Sequence, residues 1–244
     1  MSDRFHTDEA DLAAGRRIIL PGDESHHLIR VCRARPGHRL RVFGNGLEFE
    51  AVLVSGGASD AEVELGAALP TVPPPAIPLD FCIPWIKGGR TEFLVQKLTE
   101  LGVRRLRIFH AAREVVKADD GKVERLRRVA LEAAKQCGRA DLPELGAVPS
   151  LAAAMEASTD SEAKFLLYEE ERTRRLGVAV SERLQGVPPV GICVASGPEG
   201  GFDRGEVESV ASKAEVVSLG GRILRAETAP IAAAAVILAA AGEM

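Results

Sequence analysis

The sequence predicts an α/β protein, a mostly parallel sheet covered by helices, preceded by a small β domain. Three observations predict it. From residue 79 onward, short apolar runs alternate with helix-length amphipathic segments. Six of the 14 prolines fall between Pro70 and Pro84, which divides the chain. Ahead of them, strand-like alternation flanks Gly44-Asn45-Gly46, a hairpin signal.

The elements follow in order. Residues 23–31 read as one short helix, capped by Ser25 or Asp23. Residues 39–43 and 47–54 alternate as two strands of a small barrel or curled sheet. Residues 70–75 are a stiff, proline-rich linker, so the domains are expected at 1–72 and 73–244. In the second domain the expected strands are 79–83, 106–110, 164–168, 191–196 and 215–219. The expected helices are 91–101, 122–137, a weaker one near 172–184, 203–211 and 227–241. Gly102 supplies a stop for the first of these. In such a sheet a ligand sits beyond the carboxyl ends of the strands.

Composition excludes several classes. The 244 residues are 46% hydrophobic and 27% charged, a globular balance and not a disordered one. The 24 glycines have no three-residue period, which excludes collagen. Cys32, Cys82, Cys137 and Cys193 have neither zinc-ligand nor CxxC spacing, so they read as free buried thiols in a reducing cytoplasm. Residues 1–11 are polar and acidic, unlike a signal peptide. The longest apolar stretch, 231–241, is too short to span a bilayer and reads as a buried helix. His26-His27 lacks further ligands at suitable spacing, so no metal is expected. The net charge of -4 conceals an uneven distribution. Residues 87–139 carry 14 basic and 7 acidic side chains, and residues 16–41 carry 7 arginines against Asp23 and Glu24. Two basic surfaces, one per domain, would suit a polyanion. Solvated helix faces would give the same pattern.

Two loops stand out. Ser196-Gly197-Pro198-Glu199-Gly200-Gly201-Phe202 follows an expected strand, and its glycines permit close backbone approach to a ligand. It is neither a P-loop nor a dinucleotide fingerprint, which speaks against a nicotinamide-dependent oxidoreductase. Residues 219–229, LGGRILRAETA, follow the next strand; Glu227 or Thr228 can cap the apolar helix, with Pro230 in its first turn. Either loop alone is compatible with a tight turn or a capped helix. Two such loops at neighbouring strand ends favour a ligand.

Together these residues resemble the RsmE family of ribosomal RNA uridine-N3 methyltransferases, in the SPOUT superfamily. The GPEGG run at 197–201 and LGxRILRxETA at 219–229 are similar to its two signature loops. Lys87, Arg90, Glu92, Lys97 and residues 100–103 resemble its first helix region, and Arg113 its following arginine. Residues 132–139 resemble its EAxxQxxR segment, and Arg4-Phe5 with residues 26–33 its HHLxxVLR motif. Departures are modest: Cys32 replaces a usual Leu, Cys137 a common Ser, and Ser196 an apolar residue.

The resemblance implies a trefoil-knotted second domain, a PUA-like β-barrel first domain that helps hold RNA, and a homodimer. It implies S-adenosylmethionine as cofactor and 16S ribosomal RNA, within the small subunit, as substrate, with no membrane role. The expected cofactor contacts are Leu167, Tyr168, Ser196, Gly197, Pro198, Glu199, Gly200, Leu219, Gly220, Ile223, Leu224 and Thr228. Uridine N3 must lose a proton to become a nucleophile. Glu199 and Glu227 are the candidate carboxylates, and Arg225, or Arg222, the guanidinium that meets the developing charge. Arg4, His27, Arg30, Arg33, Arg90, Arg113, Arg139 and Arg222 are the expected RNA contacts. A fold-retaining RNA-binding or assembly factor without activity is the competing expectation.

Overall fold

A computed structural model describes residues 4–113 and 120–244. The first three residues of the acidic N-terminal stretch lie outside the described residues. The chain forms two compact units. One comprises the residues up to Pro73 together with Leu131–Leu142; the other comprises Pro74–Ala130 and Pro143–Met244. The expected uninterrupted second domain is therefore amended: Leu131–Leu142 packs with the first unit.

In the first unit the elements are β1 (Arg4–His6), β2 (Arg17–Ile19), α1 (Gly22–His26), β3 (Arg39–Gly44), β4 (Leu47–Ser55) and β5 (Glu62–Leu69). The sheet order is β1-β3-β4-β5-β2, with β1 parallel to β3 and the other pairs antiparallel. Asn45 and Gly46 both take positive φ, 52° and 79°, which is the turn geometry a two-residue hairpin needs. Register shifts between β4 and β5 mark bulges, which bend and curl a sheet. Its inward side chains, among them Phe5, Val42, Leu53 and Leu65, form one core with Leu28. The single helix expected at 23–31 is instead α1 followed by a π-helical turn, His27–Val31. Neither Ser25 nor Asp23 caps it, because the N-cap position is Pro21. The Ser25 hydroxyl is buried, donating to Leu20 O at 2.8 Å and accepting from Ala61 N at 3.0 Å.

The second unit alternates strands and helices. Its strands are β6 (Leu79–Pro84), β7 (Arg105–Phe109), β8 (Glu144–Val148), β9 (Ala163–Leu167), β10 (Ile192–Ala195) and β11 (Glu215–Val217). Its helices are α2 (Arg90–Glu100), α3 (Asp120–Cys137, whose last residues belong to the first unit), α4 (Leu151–Glu156), α5 (Leu176–Leu184), α6 (Arg204–Val210) and α7 (Thr228–Ala240). All six strands are parallel, in the order β11-β9-β10-β6-β7-β8. Gly102 ends α2 with φ 78°. One face of the sheet carries Phe81 and Phe165, which share a core with Leu94 of α2 and Ile237 of α7; α5 covers the same face. The other carries Phe109 and Leu166, which share a core with Val210 of α6 and with α4. Each fully buried side chain of this size contributes about 1.5–3 kcal/mol. β11 lies at the sheet edge, yet α7, which follows it, packs on α2 and α5 and over β6 and β10.

One further expectation changes. Cys82 and Cys193 are buried on adjacent strands, with their sulfurs 3.7 Å apart, but Cys32 and Cys137 are exposed. Among the described residues, no helix is long and apolar enough to cross a membrane, and no cluster suits a metal ion.

Candidate active site

The strand order reverses between β6 and β10, whose following helices α2 and α6 cover opposite faces. A crevice opens at such a switch point. Here it is a cleft of about 340 Å³ at the carboxyl ends of β6, β9, β10 and β11.

The Gly-rich loop after β10 forms one wall. Phe202 anchors it, stacked on Phe109 with ring centroids 6.3 Å apart. Asp203 then starts α6 with a reciprocal capping box, accepting from Gly205 N at 3.0 Å while Glu206 accepts from Asp203 N at 2.9 Å. The glycines are required by space. A Cβ on Gly197 would lie 3.1 Å from the Phe202 ring, and one on Gly201 2.1 Å from Glu169 Oε1. Gly201 also has φ 69°. Gly201→Ala is thus expected to displace Glu169 and strain the loop by about 1–2 kcal/mol. Calorimetry should show S-adenosylmethionine affinity falling about tenfold while the circular dichroism spectrum is unchanged; wild-type affinity would contradict this.

The loop after β11 forms the facing wall. The carbonyl of Arg225 accepts from Thr228 N at 2.9 Å and Ala229 N at 3.0 Å, which fixes the backbone at the start of α7. Glu227 occupies the N-cap position but makes no capping bond. Its carboxylate turns elsewhere, toward Arg90.

The cleft collects most of the expected residues: Leu167, Tyr168, Ser196, Gly197, Pro198, Glu199, Leu219, Gly220, Ile223, Leu224 and Arg225 line it. Gly200, Glu227 and Thr228 do not. Gly200 instead faces Arg113: a Cβ there would lie 3.3 Å from the Arg113 Cβ, and Thr228 is exposed. Gly201, named in the Gly-rich loop but not among the expected cofactor contacts, also lines the cleft, and Glu169, Arg172 and Ser218 line it without having been expected. The one available signal for Glu169 and Arg172 was their position just after an expected strand.

Charge in and beside the cleft is organised. Arg90 Nη2 lies 3.0 Å from Glu199 Oε1, and Nη1 lies 3.7 Å from Glu227 Oε2. Arg222 and Arg225 line the cleft and form no ion pair or side-chain hydrogen bond among the described residues. Among those residues, the buried Ser196 hydroxyl also has no hydrogen-bond partner.

The expected RNA contacts divide. His27, Arg30 and Arg33 are exposed on the first unit. Arg113 is exposed but braces the Gly-rich loop, donating to Gly200 O at 3.4 Å and Asp203 Oδ2 at 3.3 Å. Arg90 and Arg222 lie in the cleft. Two expectations are overturned by burial. Arg4 is enclosed, with its guanidinium shared between Glu48 and the carbonyls that end α3. Arg139 is buried in a two-bond pair with Asp141, at 3.0 and 2.8 Å. Burial by itself would raise the Asp141 carboxyl, yet the bonds from Arg139 hold it below its usual value.

The cleft residues fit a nucleoside-bearing sulfonium cofactor. Leu167, Leu219 and Leu224 give apolar walls, the glycines give close backbone approach, and the unpartnered Ser196 hydroxyl and the Glu169 carboxylate supply polar and anionic contacts.

Comparison with known proteins agrees with this geometry. Residues 73–238 match the RNA methyltransferase domain, and residues 20–66 match the RNA methyltransferase PUA domain. The ribosomal RNA small subunit methyltransferase E of Bacillus subtilis is 33% identical over 227 residues, 89% of this chain and 88% of the relative. That of Mycobacterium bovis is 32% identical over 240 residues, 93% of this chain and 87% of the relative. The crystal structure of the Neisseria gonorrhoeae enzyme of that name, bound to S-adenosyl methionine, superposes with a TM-score of 0.82 at 27% identity, covering 98% of this chain and 97% of that one. With both units matched and a SPOUT-type α/β fold behind a PUA-like curled sheet, the chain belongs to the ribosomal RNA small subunit methyltransferase E family of RNA methyltransferases.

Proposed function

We propose that the protein methylates N3 of one uridine in 16S ribosomal RNA, using S-adenosylmethionine, as a cytoplasmic homodimer acting on the small ribosomal subunit. One observation carries this reading: a single cleft joins an apolar, glycine-walled pocket to the Arg225 guanidinium, which has no ion pair among the described residues, and to an Arg90–Glu199 pair, with Glu227 just outside the lining at 3.7 Å from Arg90.

The cofactor, when bound, supplies a methyl group already activated on a sulfonium. The protein's own task is to hold, align and manage one proton. Leu167, Leu219 and Leu224 would enclose the nucleoside, with the backbone of Ser196 and Gly197 close against it. Glu169 would attract the cationic end. Neutral uridine N3 is a poor nucleophile. A carboxylate, Glu199 or Glu227, would accept its proton, and Arg225 would meet the charge that develops on O2 or O4. A guanidinium without an existing partner can do this without first breaking an ion pair.

The test is direct. Small ribosomal subunits lacking the modification are incubated with labelled S-adenosylmethionine, and the digested RNA is analysed by mass. One new N3-methyluridine supports the reading. No label despite measurable cofactor binding would point to a non-catalytic binding factor.

RNA grip in this reading falls partly to Arg30 and Arg33. Arg30→Ala with Arg33→Ala is expected to weaken RNA binding and to flatten the log–log salt slope by roughly one unit per lost phosphate contact. An unchanged slope in a filter-binding titration would remove them from the interface.

The dimer has its own support. The exposed side of α7 carries no charge: Ala232 and Ala235 are partly exposed and Ala239 is exposed. Neighbouring α2 and α5 add exposed Phe93 and Val178. A wholly apolar helix with one uncovered side fits a second copy of the chain. Ala235→Arg is expected to give the monomer mass by light scattering at micromolar concentration, where the wild type gives the dimer. A dimeric variant would argue against this face.

A further inference from the structure

Arg90 is the first residue of α2 and follows two glycines in left-handed conformation, Gly88 at φ 68° and Gly89 at 75°. A cation there faces the positive end of the helix dipole, an unfavourable place unless anions compensate. Its contacts reach three loops. Nε donates to Lys87 O at 2.9 Å, in the loop after β6. Nη2 lies 3.0 Å from Glu199 Oε1, after β10, and Nη1 lies 3.7 Å from Glu227 Oε2, after β11.

The two carboxylates are held unequally. Glu199 is 38% exposed and within hydrogen-bond distance of Arg90. Glu227 is 14% exposed, and its Oε2 is buried with no hydrogen bond from any described residue. A carboxylate oxygen that is shielded from water and engaged only by an ion-pair contact beyond hydrogen-bond distance keeps an open lone pair for an incoming proton.

We propose that Arg90 is a positioning residue: by pairing with Glu199 it braces the cleft loops and reserves Glu227 as the carboxylate that takes the substrate proton. This rests on the methyl-transfer reading above. The N3–H proton passes to Glu227 Oε2 and the N3 electron pair bonds the methyl carbon. The electrons of the broken carbon–sulfur bond stay on sulfur, which loses its charge. The Glu227 proton then leaves to water.

The test compares wild type, Arg90→Gln, Arg90→Lys, Glu199→Gln, Glu227→Gln and the double variant Arg90→Gln/Glu227→Gln. Each is assayed for kcat and for KM on small subunits lacking the modification, and for S-adenosylmethionine Kd by calorimetry. Glu227→Gln is expected to lower kcat about 10²–10⁴-fold, with KM and Kd changed by no more than about twofold. Arg90→Gln lowers kcat about tenfold, Arg90→Lys restores most of it, and the double variant is no slower than Glu227→Gln alone, because Arg90 acts through that carboxylate. The proposal is overturned if Glu199→Gln is the slow variant and Glu227→Gln is nearly wild type. It is equally overturned if Arg90→Gln raises KM for RNA at constant kcat, the behaviour of a phosphate contact, or if the two losses multiply in the double variant. A wild type that transfers no methyl to RNA sinks the functional reading and this proposal together; any other failure leaves the functional reading intact.

Discussion

Arg225→Ala should lower kcat by about 10²–10³-fold, roughly 2.7–4 kcal/mol, while S-adenosylmethionine affinity changes by about twofold or less. The expectation follows from where its backbone and side chain are held. The Arg225 carbonyl is fixed by Thr228 N and Ala229 N at the start of α7, so the main chain is rigid. Its guanidinium lines the cleft and is exposed, with no ion pair among the described residues. A cation poised without a partner does little for folding, and its charge is available when an anion develops on the uracil oxygens. Arg222 shares the cleft and also has no ion pair among the described residues. The two are separated by the form of the loss. A residue that contacts RNA in the ground state raises KM when removed. A residue engaged only in the transition state lowers kcat and kcat/KM together. Arg222→Ala is the control, and an Arg225→Ala enzyme with wild-type kcat and a raised KM would exchange their roles. Equal losses in kcat and in cofactor affinity would make Arg225 a cofactor-binding residue.

The chemistry was legible in sequence because loops at strand ends carry it, and loop residues are contiguous. Gly197, Gly200 and Gly201 lie within five residues of one another, and Arg222, Arg225 and Glu227 within six. The long helices α2 and α3 were equally legible, because they have enough turns to display a period, whereas the eight-residue β5 was not expected. β1, β2 and β11 have three residues each, too few for alternation to be recognised, and only β11 was expected, as a short apolar run between helix-length segments. β8 and α4 lie in a stretch of small residues, 144–157, where neither helical nor strand period dominates. The pairing of charges was not legible at all. Arg90 read as an RNA contact because its partners stand 109 and 137 positions away, at Glu199 and Glu227. Charged residues are rarely buried unless paired, and a single sequence shows the charge without the pair.

Arg4 shows the same failure in its strongest form, and Arg4→Ala should destabilise the first unit by about 3–5 kcal/mol. Its side chain is 4% exposed and that of Glu48 6%. The guanidinium grips Glu48 with two bonds, Nε to Oε1 at 3.0 Å and Nη2 to Oε2 at 2.8 Å. Nη1 donates to Ala134 O and Lys135 O, both at 3.0 Å, and Nη2 donates to Arg139 O at 3.1 Å. Those carbonyls end α3, where a helix presents unsatisfied acceptors and the negative end of its dipole. The guanidinium also lies over the Phe43 ring, 4.5 Å from its centroid. Truncation would leave Glu48 buried with only Arg41 nearby, at 3.8 Å, and would remove the side-chain donor from Lys135 O and Arg139 O, while Ala134 O keeps Gly138 N and Arg139 N. Removing one partner of a buried pair costs far more than the pair contributes, since the remaining charge is uncompensated. Arg4→Lys should recover little, because a point charge cannot reproduce the forked donation to one carboxylate and several carbonyls. Arg4→Met with Glu48→Leu should recover much of the stability by removing the orphaned charge. Urea unfolding measures the loss, and hydrogen exchange locates it in the first unit, including residues 131–142. If Arg4 were instead an RNA contact, Arg4→Ala would keep the wild-type urea midpoint and lose RNA affinity in a salt-dependent way, and the structural assignment would fall.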